Sequence, residues 1–334
     1  MRSLGRCWRS VCSRVRSNSN KFYKTPSIIY VTCLKMFMAM TKEDKEFLCG
    51  ISDLHVYVKP SVFPNRVYDG ITFAKHAREF GYKGFLMKNV EGMNADQAVL
   101  TRKLVPGISA FGSIVLNYIV GGLNPDAVEV AIGYGAKMVW MPTIHAKHNV
   151  DLTGTARRQM IKEIKRKLWK TEGMYILTRD GEVLPEVLEI LDMIADADII
   201  LGTGHLSVEE DYALIKAARS AGVKKIIVTH VFSPVSLVPI EDQVKMAKLG
   251  AIMELTYSEC LPALQSLDPG VIAEAIRKVG ATGCVMTSSL GNIGGPHPIE
   301  GMRQYIHLMR RNGISDRDIN IMTKENPSKL LGLE

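Results

Sequence analysis

The sequence lacks cysteines at paired spacing. Of its six cysteines, three lie within the first 40 residues, and the others are scattered at Cys49, Cys260 and Cys284. A disulfide framework or a zinc finger needs regularly spaced cysteines, so the pattern excludes both. Scattered cysteines of this kind are typical of a protein in a reducing compartment.

Long uncharged apolar runs are also missing. The stretch from residue 27 to residue 40 is apolar, but Lys35 interrupts it. A membrane-spanning helix needs roughly 18 or more such residues. The sequence therefore predicts no membrane partner.

Residues 1–40 contain no acidic residue, although they hold eight lysines and arginines. The whole chain of 334 residues has 42 basic and 34 acidic residues, so the part after residue 40 is left with 34 of each sign. A neutral body gives no reason to expect a nucleic-acid partner. We expect a small-molecule substrate and leave homo-oligomerisation open.

The first 45 residues have the composition of a leader. A segment rich in Arg and Ser and free of acids is typical of a mitochondrial presequence. A disordered tail is an alternative, and so is an upstream start codon, because Met36, Met38 and Met40 offer later starts. We predict a leader at 1–45 and one domain at 46–334. The protein would be cytoplasmic, or mitochondrial if the leader is a presequence.

No glycine-rich phosphate loop follows the first predicted strand, which disfavours a doubly wound fold. Short apolar runs instead alternate with amphipathic segments that end in glycine, a pattern of strands and helices. Alternation of this kind predicts an α/β fold with a parallel sheet, and eight units favour a single (β/α)8 TIM barrel. The eight apolar runs are 51–58, 84–90, 108–117, 136–145, 198–205, 224–231, 251–258 and 283–291.

The connection between the fourth and fifth predicted strands is long enough to hold an insertion. It contains a basic helical segment at 156–170 and a segment at 174–184 that predicts a hairpin turning at Asp180 and Gly181. Long loops on this side of a barrel usually overhang the active site. The basic segment could attract an acidic substrate, or it could be an ordinary solvated helix face.

Five of the eight histidines lie on predicted strands or just beyond their carboxyl ends. Strict alternation along the first strand places Asp53, His55 and Tyr57 on one face, where a buried acid and a buried imidazole need partners. In a barrel the carboxyl ends of the strands converge, so these histidines predict a divalent metal site, although a single histidine is often structural. We expect Asp53 and Glu254 to face the same site. The five histidines are His55, His145, His148, His205 and His230.

The strand motifs "DLHVY", "TIHAKH", "TGH", "VTH" and "SSLGN" resemble the amidohydrolase superfamily of metal-dependent hydrolases. More narrowly, the sequence resembles the DUF6282 domain family through "KPSVFP", "GFLMKN", "GSIVLNYIVGGLNP", "AKMVWMPTIHAKH", "LGTGHLS" and "ENPSKLLGL". The resemblance covers residues 50–333.

The resemblance implies a metal centre with several altered positions. His55 matches the first histidine of a His-x-His pair, and Tyr57 stands at the second. His205 and His230 match the ligands of strands 5 and 6, and His145 or His148 could supply the ligand of strand 4. Lys88 is a candidate carbamoylated ligand or an ion-pairing lysine.

Two further positions differ from the family pattern. Ser289 stands where the superfamily has an aspartate that binds metal and acts as general base, and Val90 stands where the branch tends to have a histidine. Because neutral tyrosine and serine are poor zinc ligands, the resemblance implies one metal rather than two. The predicted metal ligands are His55, His145, His205, His230 and Lys88. The predicted catalytic residues are Asp53, Tyr57, His148, Glu254 and Ser289.

These observations predict a hydrolase of a small-molecule amide, lactone or ester that uses a divalent metal, zinc first and manganese, iron or nickel as alternatives. The metal would lower the pKa of a water molecule, a nearby histidine or acid would accept its proton, and Tyr57 would donate to the oxyanion. Two alternatives remain: a degenerate barrel that binds a small ligand without turnover, and a phosphoesterase-like barrel.

Overall fold

The computed structural model describes residues 40–62, 66–154 and 172–334. The chain divides into two units, Met1–Lys42 and Glu43–Glu334, and the strands of the fold lie in the second unit. Most of the predicted leader and the whole predicted basic segment at 156–170 lie outside the described residues. The leader boundary and the insertion therefore stay predictions.

The described part of the second unit has nine strands in two parallel sheets. Each of the eight predicted apolar runs contains a strand, and the third contains two. The first sheet has β1 (Ser52–Tyr57), β2 (Gly84–Lys88) and β3 (Ser109–Phe111). The second has β4 (Ser113–Val115), β5 (Met138–Trp140), β6 (Ile200–Gly202), β7 (Lys225–Val228), β8 (Ile252–Thr256) and β9 (Cys284–Thr287).

Gly112 divides the third predicted strand into β3 and β4. A Cβ atom at this position would lie 2.4 to 2.6 Å from backbone atoms of Asn94 and Ala95, so only glycine fits. The side chain of Asn94 fixes the crossing by accepting a hydrogen bond from the backbone N–H of Ser113 at 2.8 Å. The backbone at Gly112 packs against the preceding connection, from β2 to β3, and the hydrogen-bonded ladder stops here.

A continuous closed ladder is therefore not present among the described residues, and the prediction of a closed barrel is wrong in this respect. Between the outer strands β1 and β9, the described ladder pairing is one parallel bridge from Val56 to Leu290, just beyond the end of β9. The parallel α/β fold itself is confirmed by the strand pairing.

Helices alternate with most of the strands along the chain, and six of the twelve described helices begin at a residue whose side chain caps them. Ser207 forms a full capping box with Glu210, and proline occupies the first turn of several others, where a missing N–H costs nothing. In chain order the α-helices of the described residues are α1 (Lys42–Leu48), α2 (Gly70–Glu79), α3 (Ala95–Leu104), α4 (Pro125–Gly133), α5 (Lys147–Thr153), α6 (Pro185–Asp196), α7 (Val208–Ser220), α8 (Ile240–Lys248), α9 (Pro269–Val279), α10 (Pro298–Arg311), α11 (Asp316–Asn320) and α12 (Asn326–Leu331).

One apolar core joins both sheets. Every strand supplies a side chain to it, and Leu330 and Leu331 of α12 pack against it. Such burial is the main favourable contribution to folding. The strand residues of this core are Leu54, Leu86, Phe111, Val115, Met138, Trp140, Ile200, Ile227, Ile252 and Val285. The two sheets therefore enclose a common interior.

The connection from β5 to β6 runs from residue 141 to residue 199, and part of it is the predicted hairpin. Leu177 and Val183 form an antiparallel bridge, and Gly181 has a positive φ of 83°, as a tight turn requires. Within the described ranges, none of the helices is both long and apolar enough to span a membrane.

Candidate metal centre

The backbone of β1 is irregular where it carries its functional side chains. Its pairing with β2 shifts register between Asp53 and Val56, as a β-bulge does. The predicted strict alternation is therefore wrong here. Leu54 joins the common core, while the ring of the next residue, His55, lies 5.1 Å from that of Trp140, which belongs to the same core.

His55, His230 and Glu254 form a buried group that could hold a metal ion, called the metal-capable group below. One ligand atom from each lies within 4.8 Å of the others. The imidazole rings of His55 and His230 have centroids 4.8 Å apart, and Nδ1 of His55 lies 2.8 Å from Oε1 of Glu254. The three residues come from β1, β8 and the loop after β7.

Glu254 is held by three donors. Its Oε1 accepts from Nδ1 of His55 and from the hydroxyl of Thr287 at 3.0 Å, and its Oε2 accepts from the backbone N–H of His230 at 3.2 Å. That last bond fixes His230 in the left-handed region, with φ of 53°. The carboxylate therefore orients both histidines.

Burial makes both imidazoles suitable as ligands. Desolvation lowers the pKa of His55 and of His230 well below the ordinary value, so both are neutral near pH 7. Neutral imidazole is the form that binds metal. Nε2 of His55 is buried and has no hydrogen-bond partner among the described residues. Two neutral imidazoles, one of them with this orphaned nitrogen and oriented by a carboxylate, fit a divalent ion such as zinc.

Asp53 makes its contacts with the backbone rather than with the histidine side chains. Its Oδ1 accepts from the backbone N–H groups of His55 and Ser288, each at 3.1 Å. Burial raises the pKa of this carboxyl to about 7. Asp53 is not part of the metal-capable group within the described residues.

The other predicted histidines, His145, His148 and His205, are not members of this group. His205 is closest in contact: its ring centroid lies 5.8 Å from that of His230, and its Nδ1 is 3.2 Å from Oδ1 of Asn149. His145 is buried with its ring centroid 5.1 Å from that of Tyr118. His148 lies on α5 and is half-buried. Their functional roles stay predictions.

Lys88 is fully buried on β2, and its Nζ lies 3.8 Å from the centroid of the Trp140 ring. Nζ has no hydrogen-bond partner within the described residues. Burial lowers the pKa of this amine to about 7. Its role as a ligand stays a prediction.

The three positions that depart from the family pattern all lie in the interior or at its edge. Tyr57 is half-buried, with its ring centroid 5.0 Å from that of His55. Ser289 is buried and has a φ of 49°, next to the Ser288 amide that binds Asp53. Val90 is buried.

Two charged residues near the site were missed by the sequence analysis. Glu259 is buried, with Oε1 3.6 Å from Nδ1 of His230, and burial raises its pKa well above the ordinary value. Its place just after a predicted strand, in "YSEC", was a usable signal. Arg66 is buried and lies over the ring of Tyr57; it follows no strand directly, so nothing in the sequence pointed to it.

Comparison with known proteins identifies the family of the chain. The sequence model of DUF6282, a family of unknown function, matches residues 50–254. No curated protein matches the sequence at a significant level.

Several solved structures share the fold at low sequence identity. An amidohydrolase from Pseudomonas aeruginosa has a TM-score of 0.54 and 12% identity, with 88% of this chain and 100% of that chain covered. A phosphotriesterase homology protein from Escherichia coli, complexed with phosphate in its active site, has a TM-score of 0.52, 15% identity and coverage of 84% and 98%. A lactonase from Listeria monocytogenes has a TM-score of 0.52, 12% identity and coverage of 86% and 95%.

Proposed function

The chain belongs to the DUF6282 family and has the fold of amidohydrolase-type enzymes, and from this premise we propose that it is a metal-dependent hydrolase. Its substrate is a small-molecule amide, lactone or other ester. The single observation that carries the proposal is the buried group of His55, His230 and Glu254. In this proposal the catalytic centre lies towards the carboxyl ends of the strands, where folds of this kind place their chemistry.

One divalent ion fits the group better than two. His55 would bind it through Nε2, because Glu254 occupies the Nδ1 side, and His230 would be a second ligand. His205 lies beside His230 and would complete the ligand set. A bound divalent ion polarises a carbonyl group and lowers the pKa of water. Zinc is the first candidate, with manganese, iron and nickel as alternatives.

The chain also supplies groups that hold or move a proton. The pKa of Asp53 lies near neutrality, as general acid–base catalysis favours. Burial raises the pKa of Glu259 well above the ordinary value and so favours the protonated form, which would donate to a leaving group beside His230. Tyr57 is placed beside His55 to donate to an oxyanion. His145, His148 and Lys88 are secondary candidates for proton transfer or ligation.

A second candidate is a barrel that binds a small ligand without turnover. It is favoured by the serine at position 289, where the family pattern has an aspartate that acts as general base. It is also favoured because the metal-capable group has only three members in the described part of the chain. A phosphoesterase is the third, because the E. coli relative in fold holds phosphate.

Metal analysis tests the proposal. The full chain is purified without chelator, and bound Zn, Mn, Fe and Ni are measured by mass spectrometry. We expect about one equivalent in the wild type, and about a tenth or less in His55→Ala and in His230→Ala, because each variant loses a ligand. His307→Gln is the matched control, since His307 binds Asp44 on the outer helices.

Hydrolysis is then measured on a panel of esters, lactones and amides. Turnover that depends on metal and on His230 supports the hydrolase. Full metal occupancy without turnover on any class favours the binding barrel. Less than about a tenth of an equivalent of metal in the reconstituted wild type overturns the proposal of a metal-dependent hydrolase.

A further inference from the structure

The outward face of helix α3 is apolar. Val99, Leu100 and Leu104 are 41%, 58% and 60% exposed, and they lie within about one and a half turns of the helix. A single exposed leucine is ordinary on a protein surface, whereas several that adjoin one another mark a contact site. The outward face of α3 therefore has the composition of an interface.

The inward face of α3 carries smaller side chains. Its buried residues are Ala95, Ala98 and Thr101, and the helix packs against α2 and β3. A helix that packs only within its own chain normally turns its large apolar residues inwards. In α3 the large apolar residues point outwards instead, so they are suited to burial against another molecule.

Two opposite charges flank the apolar centre of the outward face. Asp96 lies in the first turn, three residues before Val99, and Lys103 lies in the last turn, three residues after Leu100. Both charged residues are exposed. Residues three or four positions apart lie on the same side of a helix, so these four side chains form one stripe along α3.

This stripe is complementary to itself under a twofold axis. The point midway between Asp96 and Lys103 is also midway between Val99 and Leu100. When two copies of α3 meet antiparallel with the axis at this point, Asp96 faces Lys103 of the partner subunit, and Val99 faces Leu100 of the partner subunit. Twofold symmetry is the commonest symmetry of homo-oligomers, and it requires a patch that is complementary to itself.

Two other helices with an exposed apolar residue lack this complementarity. Val130 of α4 is exposed next to Glu129, and Leu188 of α6 is exposed next to Glu189. Neither helix contains a basic residue. In a symmetric pair these faces would bring acids together, which opposes association. The charges therefore single out α3 from these helices as a surface that fits a second copy.

We propose that α3 is the contact surface of a homodimer, in which the α3 helices of two copies pack antiparallel across a twofold axis between Val99 and Leu100. Apolar side chains fill the centre of the contact, and two pairs of Asp96 with Lys103 close its ends. One short helix face from each copy makes a small interface, so the dimer is reversible, with a Kd on the order of 10 µM. The dimer needs no metal and does not rest on the proposed function.

Sedimentation equilibrium of the full chain tests the inference, at chain concentrations from about 1 to 200 µM, which bracket the expected Kd. The variants are Leu100→Gln, Val99→Gln, Lys103→Glu and the double variant Asp96→Lys with Lys103→Glu. Leu188→Gln is the matched control, because it makes the same change at an exposed leucine of α6. Circular dichroism and thermal unfolding establish that each variant is folded.

We expect the wild type and Leu188→Gln to share one monomer–dimer equilibrium. Leu100→Gln and Val99→Gln should each raise the Kd by at least about tenfold, because each copy loses an apolar side chain at the centre of the contact. Lys103→Glu should raise it by about tenfold, because both end pairs become acid against acid.

The double variant separates contact between two copies from an effect within one helix. It restores opposite charges across the axis, so the Kd should return to within about threefold of the wild type. It also places a base in the first turn of α3 and an acid in the last, an arrangement that the helix dipole disfavours. Recovery of the dimer therefore cannot come from a more stable helix.

A wild type that stays monomeric at the highest concentration overturns the inference. A dimer whose Kd is the same in Leu100→Gln, Val99→Gln and Leu188→Gln also overturns it, because the two copies then meet through another surface. A dimer that is weakened by Lys103→Glu but not recovered by the double variant overturns the antiparallel pairing.

Discussion

The imidazole of His55 and the carboxylate of Glu254 form a fully buried pair, with Nδ1 and Oε1 2.8 Å apart. A carboxylate can only accept in such a contact, so Nδ1 carries the proton and Nε2 presents its lone pair. Nε2 has no partner elsewhere in the described chain. One hydrogen bond therefore sets which nitrogen of His55 is available to a metal.

Replacing Glu254 by glutamine should weaken metal binding by about 10- to 100-fold, the usual effect of losing a group that orients a ligand. The amide keeps the shape but loses the negative charge that stabilises the protonated Nδ1. Competition with a coloured chelator measures the affinity.

Glu274→Gln is the control for this prediction, because Glu274 is an exposed residue of α9 that pairs with Lys278. Equal metal affinity in Glu254→Gln and Glu274→Gln would contradict an orienting role for Glu254.

Replacing Lys88 by methionine should raise the free energy of unfolding at pH 6 by about 3 kcal/mol. The native pKa of this amine is about 7, against 10.5 for the free group. Between these values the unfolded state binds more protons, so the wild type gains stability as pH rises. The advantage of the variant should therefore shrink from pH 7 towards pH 10.

Urea unfolding at pH 6, 7.5 and 9 measures this difference. Lys83→Met is the control, since Lys83 is exposed just before β2 and should change stability by less than about 0.5 kcal/mol at each pH. A methionine variant less stable than the wild type at pH 6 would show that Lys88 has a stabilising partner.

Replacing Gly112 by alanine should lower the free energy of unfolding by about 3 kcal/mol or more, because the new methyl group meets the backbone of Asn94 and Ala95. Gly133→Ala tests the same change at the end of α4, where a Cβ meets nothing. Gly133→Ala should raise the free energy of unfolding by about 0.5 kcal/mol. Similar effects in the two variants, measured by urea unfolding, would refute the tight crossing between β3 and β4.

Changing Ser289 to aspartate should increase metal affinity about tenfold over Ser289→Asn, if this position faces the ion as the family pattern implies. Both residues tolerate the left-handed backbone of position 289, where φ is 49°. The shift in unfolding temperature on adding zinc measures the gain. Identical zinc-induced shifts would mean that residue 289 lies away from the ion.

The fold class could be predicted because its cause is local. An apolar run followed by an amphipathic segment indicates a buried strand followed by a helix, and each of the eight predicted runs contains a strand. The histidines at the strand ends could be located for the same reason. The break at Gly112 could not be predicted, because the atoms that exclude a side chain there belong to residues 94 and 95.

The ligand set was only partly predictable. The strand positions and the family resemblance both predicted His55 and His230 as ligands, whereas Glu254 was predicted from its strand position, as a catalytic residue. Glu254 orients His55 across 199 positions of sequence. The stacking of Arg66 on Tyr57 likewise depends on the bridge between Arg66 and Asn292, which joins the two ends of the domain.

The sequence by itself determined a parallel α/β fold with histidines at its strand ends, because hydrophobic periodicity and residue position are properties of neighbouring residues. Only the tertiary structure decided which of these histidines lie close together. Pairing across the sheets brings Glu254 between His55 and His230, and the bulge in β1 allows His55 to reach it. Hydrogen bonds and close packing between distant segments set these contacts, and no local pattern encodes them.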